Sequence, residues 1–312
     1  MAIAEAQSHE TTLKPKNIRV NLPRPGPLVL LVPALASIGA VSIYPVFLGL
    51  WLSFRDTTLA SPTDTFIGLD NYFQLFSDSQ FWNAWIHTIQ FTTASTLVET
   101  LLGLMIALIL SERFRGRGIV RAAMLVPWAI PTVVTSKMFG WLFDGQNGVV
   151  NYLLRSVGLI QHNVDWYGST DFALLTIVIA DVWKTTPFMG LLLLAGLQTI
   201  PDSLAEASVI DGANAWQHFW HIRLPLLTPT LLIASMFRAL DAFRIFDLVY
   251  VLTGGGPADS TEVLSTLTYK HLFSALQFGY GSALATIMFI TEIVIAVVFG
   301  VFLLRKMREV GQ

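Results

Sequence analysis

A chain of 312 residues that is 54% hydrophobic and only 13% charged lacks the charge needed to clothe a soluble surface, and its mean hydropathy of +0.60 places it among integral membrane proteins. The net charge of -2, from 19 Lys and Arg against 21 Asp and Glu, carries no nucleic-acid signature. There is no cysteine, which excludes disulfides, Cys-ligated zinc and iron–sulfur clusters.

Residues 1–27 are polar, contain Pro15, Pro23, Pro25 and Pro27, and carry Lys14, Lys16, Arg19 and Arg24; they read as a cytoplasmic tail. The apolar run that follows continues to residue 54. That is longer than the hydrophobic region of a signal peptide, so despite a cleavage-like Ala34-Leu35-Ala36 it reads as an uncleaved first span. Five further stretches, 85–110, 119–143, 172–197, 226–252 and 281–304, hold the roughly 20 apolar residues a membrane helix requires when its backbone must satisfy itself without water. Pro45, Pro127, Pro131 and Pro187 interrupt them, as membrane helices tolerate. The expected fold is all-α, a six-span polytopic bundle over residues 28–304, with a short tail at 305–312.

Orientation follows from the Lys and Arg of alternate connections. One set holds Lys14, Lys16, Arg19, Arg24, Arg113, Arg115, Arg117, Arg121, Arg223, Arg305, Lys306 and Arg308; the other holds only Arg55, Arg155 and Lys270. The imbalance predicts both termini in the cytoplasm. Opposite them, Phe81-Trp82-Asn83-Ala84-Trp85 reads as part of an external aromatic rim, and Thr253-Gly254-Gly255-Gly256-Pro257 as a flexible external turn.

The cytoplasmic loop 198–225 is the informative connection. Pro201 suits a helix start, and Ser203 with Glu206 three residues later fits a capping box. Gly212 breaks that helix after Asp211, and a second helix from Asn214 is expected to end at Leu224-Pro225, where the proline redirects the chain into the membrane. Glu206-Ala207, then Asp211-Gly212-Ala213, then Ile222-Arg223-Leu224-Pro225 resembles the EAA motif of binding-protein-dependent ABC importer permeases of the type I class, with Ser208 where the motif has a second alanine. The likeness runs from about residue 28 to the C-terminus and is nearest to sugar permeases of the maltose and trehalose type.

That resemblance implies a multi-pass subunit in the plasma (inner) membrane of a prokaryote and assigns Glu206, Ala207, Asp211, Gly212, Ala213, Ile222, Leu224 and Pro225 to a coupling helix seated in a cleft of a separate ATPase. It implies two copies of that ATPase, which bind ATP and Mg, together with a second homologous permease and an extracytoplasmic solute-binding protein. This chain would carry no cofactor, metal or catalytic residue of its own. No lysine follows a glycine in it, so it has no GxxxxGK[ST] phosphate loop.

Ionisable residues at membrane depth are functional candidates by default: here Glu99, Lys137, Asp181, Lys184, Arg238, Asp241, Arg244, Asp247 and Glu292. In the fourth span Asp181 and Lys184 are helical neighbours beside Thr185, Thr186, Pro187 and Phe188, the mixture of polar and aromatic groups that binds sugar hydroxyls and C–H faces. The resemblance points to Asp181, Lys184, Thr185 and Phe188 as pocket residues, and to Arg238, Asp241 and Arg244 in the fifth span. The alternatives are an Asp181–Lys184 pair that only locks helices and a self-paired charge ladder through Asp247. Glu99 and Glu292 read as structural, each bonding a polar neighbour. The WKTTPF and FRIFD segments are most similar to trehalose-type permeases, so the expected cargo is trehalose or a related di- or oligosaccharide. The rivals are a proton-coupled secondary transporter using Asp181, Asp241 or Glu292 as relay, and a membrane enzyme, for which no nucleophile–base set is evident.

Overall fold

The computed structural model describes residues 25–59, 64–112 and 114–310. Most of the proposed tail, with Lys14, Lys16, Arg19 and Arg24, lies outside the described residues, as does Arg113. Among those described, five helices are long and apolar enough to cross a membrane, and a bent pair makes a sixth candidate.

The first span is α1 (Pro25–Ile38), a π-helical segment Gly39–Ile43, and α2 (Tyr44–Leu52). The chain divides here into two compact units, residues up to Leu48 and residues from Gly49 onward. The second unit opens with a two-residue strand pair, β1 (Arg55–Asp56) antiparallel to β2 (Thr65–Phe66) with Arg55 opposite Phe66. Asp64 Oδ1 accepts from Arg55 Nε at 2.5 Å and from the Thr57 hydroxyl at 2.8 Å, and these bonds hold the Asp64 carboxyl below its ordinary range.

After α3 (Asp70–Ser77), α4 (Ser79–Ser111) runs for 33 residues, about 50 Å at the helical rise. Asp78 starts it early by accepting the Gln80 N–H at 2.8 Å. The aromatic run at 81–85 therefore lies in the first turns of a helix, with Phe81 buried. The third span is broken into α5 (Arg117–Met124), α6 (Val126–Ala129) and α7 (Thr132–Leu142), with an 88° bend before α7. Pro131 is the cause, because it drives Ile130 out of the helical region to ψ 131°. Following α8 (Val149–Ser156), α9 (Ala173–Leu197) continues unbroken across Pro187.

Beyond the connecting turn, with α10 (Asp202–Ile210) and α11 (Ala215–His218), α12 (Leu224–Phe243) of the fifth span ends sooner than expected. Arg244 leaves the helical region, the Ile245 carbonyl accepts from the Ser265 hydroxyl, and Asp247 opens a separate helix, α13 (Asp247–Leu252). A four-charge ladder on one helix is thereby ruled out. The turn at 253–257 is braced: the Thr253 and Thr261 hydroxyls bond at 2.7 Å, and Thr261 donates to the Gly256 carbonyl at 2.7 Å. α14 (Leu264–Tyr269), a π-helical segment Lys270–Ser274 and α15 (Phe278–Val310) complete the described chain, so Arg305, Lys306 and Arg308 lie in the last turns of a helix.

Helices α4 and α9 form the most extensive pair. Glycines make this possible, since a Cβ on Gly103 would stand 2.8 Å from Met189 Cγ and one on Gly190 3.0 Å from Ile106 Cγ2. Such close approach lets dispersion and helix–helix polar contacts act where no hydrophobic drive exists. At one end of the unit Asn83 donates to the Asp259 carbonyl at 2.9 Å and the Tyr280 hydroxyl to Asp78 at 2.8 Å. At the other end Arg223 meets Glu112 at 3.6 Å, which places the 198–225 connection where α4 finishes.

Candidate functional site

Two groups of sequence-predicted residues come together, one at mid-bundle and one at the end of α9. At mid-bundle, Arg238 of α12 lies between Glu99 of α4 and Asp181 of α9. Its Nε and Nη2 both bond Glu99, the latter at 3.0 Å to Oε1; Nη2 also bonds Asp181, and Nη1 reaches Asp241 Oδ2 at 3.1 Å. The Thr185 hydroxyl lies 2.5 Å from Glu99 Oε1 and 2.7 Å from the Asp181 carbonyl. Glu99, Asp181 and Arg238 are buried, whereas the Asp241 side chain is 67% exposed. A planar guanidinium with a fork of donors satisfies several carboxylates at once, which an ammonium cannot do.

Asp181 thus pairs with an arginine 57 positions away rather than with Lys184. Lys184 is partly exposed, with no salt bridge or hydrogen bond among the described residues, though it and Asp241 lie near enough to act on the charge of Asp181. Phe188 stacks on Trp128 of α6, ring centroids 5.1 Å apart and planes 10° from parallel. Arg244 is exposed, donates to the Leu240 carbonyl at 3.2 Å and stands 3.6 Å from Glu292. Both acids that looked isolated in their spans have basic neighbours. The partnership of Glu99 and Arg238 escaped the sequence reading, although a lone acid in one apolar helix and an arginine in another were its signal. Lys137 is exposed on α7 and Asp247 on α13, away from the buried cluster.

At the end of the bundle, α10 begins at Asp202, so Pro201 stands before the helix and Ser203 lies inside its first turn; the capping position expected at Ser203 falls at Pro201 instead. Glu206, Ala207, Asp211 and Gly212 are exposed, and Ala213 is half-buried. Gly212 has φ +79°, a left-handed conformation that ends the helix and lets the Ala213 N–H donate back to Ser208 at 2.9 Å. Asn214 then caps α11 in a reciprocal box with Gln217, at 2.9 and 3.0 Å. Across the turn, Ser208 Oγ and His218 Nδ1 are hydrogen bonded at 2.9 Å.

The second helix does not stop at Leu224-Pro225. From α11 it passes through a π-helical segment Phe219–Arg223 directly into α12, giving one helix from Ala215 to Phe243. The Leu224 N–H donates five residues back, to the Phe219 carbonyl. This wider register accommodates Pro225, which lacks an N–H and would crowd the carbonyl four residues before it. Ile222 and Leu224 are half-buried and Pro225 is exposed, while Ile210 and Trp216 stand out at 85% and 69% exposure.

Known proteins share this architecture and sequence. The chain is 41% identical over 271 residues to the trehalose/maltose transport system permease protein MalF of Thermococcus litoralis, covering 87% of this chain and 91% of that protein. It is also 41% identical over 275 residues to the trehalose transport system permease protein SugA of Mycobacterium tuberculosis, covering 87% and 86%. Its fold matches a chain of a bacterial ABC transporter involved in the import of the acidic polysaccharide alginate, with a TM-score of 0.78 at 23% identity over 89% of this chain and 94% of the other. The family model for the inner membrane component of binding-protein-dependent transport systems matches residues 99–309, a stretch containing both groups, and the chain belongs to that family as a multi-pass inner membrane protein.

Proposed function

We propose that this chain is one permease half of an ABC sugar importer that carries a di- or oligosaccharide, with trehalose the best fit to its relatives' names. A second homologous permease completes the pathway. An extracytoplasmic binding protein delivers the sugar, and two ATPase subunits hold the ATP and Mg. The Lys and Arg bias of the connections supports both termini, and the 198–225 turn, on the cytoplasmic side.

The observation that carries this reading is the exposed turn at Gly212, joined by one unbroken helix, Ala215–Phe243, to the buried Arg238 cluster. Glu206, Ala207, Asp211, Gly212 and Ala213 meet the ATPase, while Ile222, Leu224 and Pro225 join the turn to the membrane. Closure of the ATPase pair moves this turn, and a helix locked to α4 and α9 carries the motion into the bundle, alternating the access of one pathway. Lys184, Thr185, Phe188, Asp241 and Arg244 are the side chains at least partly open to a passing sugar. Asp181 and Arg238 act behind them by holding the wall.

The test is the reconstituted complex with its binding protein and isotope-labelled trehalose. Accumulation that requires ATP and ignores an imposed pH gradient is the expected result. Uptake driven by a pH gradient without ATP would reject the reading in favour of a proton-coupled carrier.

A further inference from the structure

The connection 143–172 closes the end of the bundle opposite the Gly212 turn, since α9 runs from the one to the other. Residues 143–148 alone separate α7 from α8, and the loop around α8 is tied down. The Asn151 amide donates to the Gly145 and Val164 carbonyls at 3.1 and 2.9 Å, and its oxygen accepts from Trp166 Nε1 at 3.0 Å. Held in this way, α8 packs Val150 and Asn151 against the bundle. Its outward face is apolar all the same: Val149, Tyr152 and Leu153, neighbours at helical spacing, are exposed, as are Val157 and Leu159 just past its end. A helix that faces only water carries polar side chains there.

Beside that face stands Arg155. The other two basic residues in its set of connections are neutralised, Arg55 by Asp64 at 2.5 Å and Lys270 by Glu262. Arg155 meets an amide oxygen, that of Asn163 at 3.3 Å, and no carboxylate among the described residues. It borders an open cavity of about 490 Å3 whose wall includes Gln146, Asn147, Tyr152, Ser156 and Asn163 and contains no acid. The acids of this connection are turned to backbone N–H groups, Asp144 to those of Gln146 and Asn147 at 3.0 and 2.7 Å and Asp165 to that of Gly168 at 2.9 Å. Amide donors around a free guanidinium suit an anion with several oxygens, and the apolar face suits hydrocarbon. Tyr152 belongs to both surfaces. A soluble anion would leave Tyr152, Leu153 and Val157 in water, whereas a phospholipid carries both chemistries on one molecule. Trp and Tyr are the side chains of the membrane–water boundary, and Trp141, near the end of α7, is 79% exposed.

We propose that the α8 lobe binds an anionic phospholipid, whose phosphate accepts from the Arg155 guanidinium and the side-chain amides of Gln146 and Asn147 while acyl carbons lie along Tyr152, Leu153 and Val157. In the orientation argued above it is a lipid of the outer leaflet. The site goes beyond the import reading and holds whatever the cargo. A lipid seated there ties the far end of α7, the part of the third span beyond the 88° bend, to the membrane surface.

The probes are phosphatidylglycerol and inorganic phosphate, added to the purified, delipidated complex and followed by native mass spectrometry. Arg155→Gln is expected to weaken one phosphatidylglycerol per chain about fivefold, the scale of one basic side chain at an anionic lipid, and Arg155→Lys to keep most of that affinity. Leu153→Gln is expected to weaken the same lipid, and inorganic phosphate to leave it in place. Phosphatidylglycerol binding unaltered by Arg155→Gln would overturn the site. Displacement by inorganic phosphate would make it a site for a soluble anion and overturn it equally. Because the chain has no cysteine, Leu153→Cys takes a single nitroxide on it. In proteoliposomes that label is expected to collide more with oxygen, which concentrates in lipid, than with a water-soluble nickel chelate. The reverse order would put the face in water, and shielding from both would put it against another protein chain; either result removes the lipid.

Discussion

At mid-bundle Arg238 commits its guanidinium to Glu99, Asp181 and Asp241, whereas at the end of α9 Ile210 and Trp216 project from a turn held by a few hydrogen bonds. The difference follows from solvent. Charged groups taken into the membrane must be saturated by neighbours or they destabilise the chain by several kcal/mol each. Apolar groups left in water on a turn add nothing to the chain's own fold and read as a surface awaiting another protein. One region locks three helices together and the other, in the function proposed above, receives contact. The helix Ala215–Phe243 connects them, placing Arg238 about 35 Å from the start of α11 at the helical rise.

The largest effect expected from breaking this arrangement is at the pivot. Gly212→Pro demands φ near −65° where the turn has +79°, so ATP-driven sugar uptake should be abolished while the chain still reaches the membrane. Labelled-sugar uptake read beside immunoblots of the membrane fraction measures both, and uptake at the normal rate would show that the turn's shape is immaterial. Next, Arg238→Ala leaves Glu99 and Asp181 buried without their cation and should cost about 3–5 kcal/mol, read as a lower thermal midpoint of the purified complex. An unshifted midpoint would dissolve the contrast between a locking region and a receiving one. Third, Trp216→Ser should leave that midpoint unchanged yet weaken recovery of the ATPase with the permease by about 2 kcal/mol, as loss of an anchoring tryptophan does at protein interfaces. Equal recovery would assign Trp216 to the headgroup layer instead.

The six apolar stretches and the Gly212 turn were legible because each rests on local rules, apolar length and backbone conformation. Prolines show where local rules stop. Pro131 bends its span by 88°, Pro187 leaves α9 continuous, and Pro225 is absorbed by a π-helical segment. The residue type is the same in all three, and the outcome depends on whether the neighbouring carbonyls find another register. Charge partners were illegible for a related reason. Spacing joins Asp181 to Lys184, but the helix crossing brings Arg238 within reach, and a forked donor serving two buried carboxylates outcompetes a point charge. The early end of α12 at Phe243 likewise involves Ser265, a residue of α14 that bonds the Ile245 carbonyl, which no window around Arg244 contains.

The smallest expected effect bears on how tightly the receiving turn is held. Ser208 occupies a position where the family motif has alanine, and its hydroxyl bonds His218 Nδ1 at 2.9 Å across the Gly212 turn. Ser208 is buried on α10 and His218 ends α11, so this bond joins the two helices that flank the pivot. Ser208→Ala removes the hydrogen bond to His218, of net value about 1 kcal/mol, too little to unfold the turn but enough to let α10 and α11 move separately part of the time. Sugar should still be taken up, with more ATP hydrolysed for each molecule imported, because some displacement of α10 then fails to reach α12. The measurement is the ratio of phosphate released to sugar accumulated in proteoliposomes. A ratio unchanged by Ser208→Ala would mean that the Gly212 backbone and the Asn214 cap hold the two helices together without the serine.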